Sequence, residues 1–61
     1  MFYIIDKYGM YYSNKLGIEY GWVPKNSKIK TGFKTKEECG VVIKKIENDL
    51  LKNFLVNVIK E

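Results

Sequence analysis

A single cysteine and no histidine in a chain of 61 residues remove two usual supports of a very small fold. A domain of this size hides only about 60% of the surface its unfolded chain exposes. The balance of apolar burial against chain entropy then comes out near zero. One thiol closes no disulfide within the chain, and one thiol with scattered carboxylates does not supply the four ligands of a closed structural zinc site. The support left is a second copy, so a homo-oligomer, most simply a dimer, is expected.

Residues 1–61 are expected to form one small α+β domain: an antiparallel sheet of three or four strands packed against one amphipathic helix. The lone cysteine suits a reducing cytosol. The longest apolar stretch, Met1 to Ile5, is far short of the roughly 20 residues of a membrane span and lacks the basic residues that precede a signal peptide's apolar core. A soluble cytoplasmic protein with no membrane partner is therefore expected.

Strand signals fill the first half. Phe2-Tyr3-Ile4-Ile5 and Met10-Tyr11-Tyr12 are aromatic and β-branched, and Asp6-Lys7-Tyr8-Gly9 between them carries turn residues with glycine where a hairpin needs positive φ. Ser13 to Glu19 reads as a loop and Tyr20 to Val23 as a short third strand. Pro24-Lys25-Asn26-Ser27 reads as a turn. Lys28 to Phe33 alternates Ile29 and Thr31 with Lys28 and Lys30 and is predicted to be an edge strand guarded by its lysines.

Thr35-Lys36-Glu37-Glu38 fits a capping box at a helix start, with both acids at the positive end of the helix dipole. Cys39, Val42, Ile43, Ile46 and Leu50 then recur as one apolar stripe. Gly40 is a blemish in this helix, costing about 1 kcal/mol relative to alanine, present either to allow a close approach to the sheet or because the fold tolerates it. At about 100° per residue, Leu51, Leu55, Val56 and Ile59 leave the stripe. Either Asn53 ends the helix and residues 54–59 form a last strand, or the helix runs on and buries a second apolar face against another chain. The preferred reading is a helix to about residue 52, with Leu51, Leu55, Val56 and Ile59 as self-association residues.

Chemistry has little to use. The chain has no histidine for proton transfer near neutral pH, no glycine-rich phosphate loop and no nucleophile beside a base. Cys39 sits on the apolar stripe as a structural thiol, and helix capping accounts for Glu37 and Glu38. A non-enzymatic protein without catalytic residues, metal or cofactor is expected.

Binding residues are easier to place. All eleven basic residues are lysine, and five of them, Lys25, Lys28, Lys30, Lys34 and Lys36, lie between Tyr20 and Lys36 with no acid. Such a field draws an anionic partner. The missing arginine disfavours readout of bases in a duplex. A helix covers only one face of a sheet and adjacent strand residues point to opposite faces, so one of Tyr11 and Tyr12 is expected to point outward. Tyr11, Tyr12, Tyr20, Trp22, Lys25, Lys28, Lys30 and Lys34 form the expected partner-binding set. The rival use of the rings is cross-strand packing that stiffens the sheet.

The hairpin Ile5 to Tyr12, the pair Gly21-Trp22 and the segment Phe33-Lys34-Thr35-Lys36-Glu37-Glu38 resemble small uncharacterised proteins of bacteriophages and mobile elements, over about residues 3–46. That resemblance implies a ββα-type unit and a non-enzymatic accessory protein that binds and inhibits a host or defence protein, as anti-CRISPR-like anti-defence proteins do, in a bacterial cytoplasm. Thr35 to Cys39 is also similar to the helix start of the small nucleic-acid-binding domain at the N-terminus of some ribonucleases H, with Lys36 where that domain has an aromatic residue. The expected partner is a host or defence protein with an acidic surface. The alternative is a non-specific nucleic-acid-binding protein using a lysine-rich, aromatic sheet surface.

Overall fold

Asp6 builds the first turn. Its carboxylate accepts from the backbone N–H groups of Tyr8 and Met10, both at 2.9 Å, and its own N–H donates to the Met10 carbonyl at 2.9 Å. Gly9 completes the turn at φ 80°, a left-handed backbone that costs a residue with a side chain roughly 1–2 kcal/mol. The expected hairpin results: β1 (Phe2–Asp6) runs antiparallel to β2 (Tyr11–Ser13) with Ile5 opposite Tyr11. The structure is a computed structural model and describes residues 1–18, 20–49 and 55–61.

β3 (Gly21–Val23) lies antiparallel to β2 with Trp22 opposite Tyr12. After it, the Ser27 N–H donates to the Pro24 carbonyl at 3.0 Å, closing the expected turn. The helix, α1 (Lys36–Asp49), starts where the Thr35 hydroxyl accepts from the Glu38 N–H at 3.2 Å, the threonine half of the capping box. β4 (Val56–Lys60) then pairs antiparallel with β1 from Phe2 opposite Lys60 to Asp6 opposite Val56. The sheet order is β3-β2-β1-β4. A four-stranded antiparallel sheet with one helix is the α+β fold expected, and the helix carries the chain from one sheet edge to the other.

One expectation is corrected and one open alternative is decided. Lys28 to Phe33 does not form an edge strand. The Ser27 hydroxyl accepts from the Ile29 N–H at 3.3 Å, a local side-chain bond that competes with ladder formation, and only Phe33 bridges to β1, exchanging two 2.8 Å bonds with Phe2. The segment instead wedges between β1 and β2, with the Thr31 N–H donating to the Tyr12 carbonyl at 2.9 Å. The fourth strand comes from the tail. Val56 and Ile59 lie in β4 inside the chain's own sheet, with Val56 packed on the core and Ile59 opposite Tyr3. This is the last-strand alternative, favoured by β-branched composition. Leu55 stays 67% exposed, and Leu50 and Leu51 lie outside the described residues.

The core forms between the sheet and α1. Ile4, Cys39 and Ile46 are fully buried and Tyr12 nearly so, with Val42 and Ile43 half-buried against them. The stripe read from the helix is thus the packed face as far as Ile46. Gly40 is not held close to the sheet, because a Cβ built on it meets nothing within 4 Å. Toleration is its reason.

Candidate functional site

Register decides the fate of the aromatics. Residues opposite one another in a sheet share a face, so Tyr12, Trp22 and Phe2 look toward α1, and Tyr3 and Tyr11 look the other way. On the helix side, Tyr12 meets Trp22 edge-on at 5.9 Å and stacks on Phe33 at 6.2 Å. Tyr20 packs at the margin of this core and donates its hydroxyl to Asp49 at 2.6 Å, tying the loop before β3 to the end of α1.

The second sheet face is covered as well. The wedge segment lies over it, anchored where the buried Ser13 hydroxyl donates to the Ile29 carbonyl at 2.6 Å. Gly32 permits the fit, since a Cβ there would stand 2.6 Å from the Met1 sulfur and 3.2 Å from the Tyr3 ring. Lys30 then extends across the face. Its ammonium sits 4.6 Å from the centre of the Tyr3 ring and 4.7 Å from that of Tyr11, rings that meet edge-on at 5.6 Å. The same ammonium pairs with the Glu61 carboxylate at 3.1 Å, which also accepts the Tyr11 hydroxyl.

This cluster sets its own proton affinities. The bond to Glu61, then burial and the Glu61 charge, push the Tyr11 phenol from 10.0 up to about 12. The Glu61 carboxyl is held below its ordinary range by the Tyr11 hydroxyl first and Lys30 next, against a smaller opposing effect of burial. In the helix, burial pushes the Cys39 thiol up, and the Glu38 charge adds to the effect. A buried thiol so shifted is a poor nucleophile, in keeping with a packing role.

The expected binding set therefore divides. The outward tyrosine surface is absent: Tyr11 and Tyr12 are 4% and 6% exposed, because the wedge and Lys30 cover the face that α1 leaves open. Tyr20 and Trp22 are half-buried against the core. Cross-strand packing accounts for the rings. Lys30 is occupied by two rings and a carboxylate, while Lys25, Lys28 and Lys34, together with Lys36, are exposed. Sequence reasoning missed Tyr3 and Glu61 as partners of Lys30, and only the alternation that puts Tyr3 on the face of Tyr11 signalled any of it.

Among the described residues, no group of three histidine, cysteine, aspartate or glutamate side chains is placed to hold a metal ion, and no helix is long and apolar enough to cross a membrane. No protein-family model, curated protein or solved structure matches the chain.

Proposed function

We propose that this chain is a non-enzymatic binding protein whose exposed lysines Lys25, Lys28, Lys34 and Lys36 capture an acidic surface on a host or defence protein. The observation that carries this reading is their exposure on a stretch without an acid, while of the sheet rings expected to stack on bases Tyr11 and Tyr12 are buried and Tyr20 and Trp22 are half-buried against the core. A single-strand binder needs ring faces open to successive bases. Lysines alone supply charge that speeds encounter and selects partners of opposite sign. The likeness to phage accessory proteins supports inhibition as the outcome of binding.

The test compares the wild-type chain with Lys25→Glu/Lys28→Glu/Lys34→Glu as bait in a bacterial lysate, with and without nuclease. The reading expects a protein retained after nuclease by the wild type and lost by the triple variant, with association slowed by salt. Retention that nuclease abolishes, together with tight binding of random oligonucleotides at physiological salt, would replace it with the nucleic-acid reading.

A further inference from the structure

Hydrogen-bond parity leaves one sheet edge open. Met1 and Glu61 exchange both backbone bonds, at 2.7 and 2.9 Å, as a bonded antiparallel pair does. Bonded and non-bonded pairs alternate along such a ladder, so in the register of β1 with β4 the bonded pairs are Tyr3 with Ile59 and Ile5 with Asn57. The other side of β1 agrees, because Phe2 bonds to Phe33 and Asp6 to Met10 there. The N–H and C=O groups of Val56, Val58 and Lys60 therefore point away from β1, along the outer edge of the last strand in the sheet order. Among the described residues, no hydrogen bond takes up these groups.

The two sheet edges differ. β3 is three residues long and runs directly into Pro24, whereas β4 has five residues, no proline and an unbroken register. Natural sheets blunt exposed edges with short strands, prolines, bulges and lysines, and of these β4 carries only Lys60 at its end.

We infer that β4 pairs antiparallel with β4 of a second copy of this chain about a two-fold axis at Val58. The outward residues are symmetric about that position: Val58 meets Val58, Val56 meets Lys60, and each outward donor finds an acceptor. No like charges stand opposite one another, an arrangement that would weaken the pairing. On the other face Leu55 lies diagonal to Ile59 of the second copy, within reach of long side chains, which gives the exposed leucine a neighbour. α1 packs over β1 and β4, so both helices flank the axis on one face of a continuous eight-stranded sheet. An acidic foreign strand would meet only Lys60 as a charge along this edge, whereas a second copy matches every outward position. The inference does not depend on what the lysines bind.

Amide hydrogen exchange on the unmodified, isotope-labelled chain tests it directly. In a monomer the Asn57 and Ile59 amides are protected and those of Val56, Val58 and Lys60 exchange freely. In the paired form all five are protected, and dilution releases the outward three first. Sedimentation equilibrium of the same samples should give twice the 7.2 kDa chain mass. A synthetic chain with N-methyl-Val58 loses one outward donor per copy and leaves the β1 ladder untouched. Its dimer dissociation constant should rise about tenfold or more, with Lys60→Pro acting in the same direction. Freely exchanging outward amides at every concentration, a chain mass of one copy throughout, or a dimer unaffected by N-methylation would each overturn the inference.

Discussion

Tyr11 donates its hydroxyl to the carboxylate of Glu61, fifty residues further along the chain, and Lys30 lies over the tyrosine ring while pairing with the same carboxylate. This contact joins the hairpin, the wedge segment and the end of β4 on the sheet face that the helix does not reach. Its pH dependence follows from the signs of two shifts. The Tyr11 phenol is raised to about 12, so its contribution to stability is full below the ordinary tyrosine value of 10.0 and is lost as pH climbs toward 12. Glu61 is lowered, so its contribution is full above the ordinary 4.5 and is lost as pH falls through the depressed value. Stability should be level between these limits and decline beyond each. Urea unfolding across pH should show Tyr11→Phe flattening the alkaline decline, and a difference titration of phenolate absorbance should place the Tyr11 phenolate near pH 12. An alkaline decline unchanged in the variant would refute this account.

Lys30 should behave unlike its neighbours. Lys30→Met keeps the alkyl stem but removes the charge from two ring faces, each worth about 0.5–1 kcal/mol. It should lower stability by about 1 kcal/mol and leave partner association near the wild-type rate. Lys28→Glu should do the reverse, sparing stability and slowing capture. Thermal unfolding paired with stopped-flow association separates the two.

Two glycines should respond with opposite signs. Gly9 sits at positive φ, so Gly9→Ala should lose about 1–2 kcal/mol. Gly40 lies within the helix with open space where a Cβ would stand, so Gly40→Ala should gain up to about 1 kcal/mol. Urea midpoints of the single and double variants check both, and distant sites of this kind should add.

Cys39 should be inert in the native state. It is fully buried and its thiol is raised by burial, so a thiol reagent should label it only as fast as the chain opens. Cys39→Ala should cost about 1 kcal/mol, the loss of a small buried group, with binding intact. Labelling at the rate of a free thiol would show that the sulfur is accessible.

The parts legible in the sequence are those whose cause lies within a few residues. Asp6 and Gly9 specify a turn by a side-chain bond and a positive φ that need no other part of the chain. Thr35 caps the helix three residues on, and Cys39, Val42, Ile43 and Ile46 mark its buried face by period alone. One cysteine and no histidine already disfavoured a disulfide or zinc support. The lysine-rich, acid-free stretch was equally plain, because net charge needs no fold.

Tertiary structure decided what depends on partners far apart in sequence. Lys28 to Phe33 and residues 56–60 both carry strand-like patterns, and the pattern of neither says which will lie beside β1. β4 takes one side of β1 in full register, and the other side, already holding β2, leaves only a single bridge for Phe33. The same pairing sets the face of Tyr11, and Lys30 and Glu61, drawn from the wedge and the end of the chain, cover it. Alternation along a strand shows that two adjacent tyrosines point opposite ways. What covers each of them is a property of the assembled sheet: over Tyr11, Lys30 and Glu61 arrive from nineteen and fifty residues further along the chain only once the strands have paired.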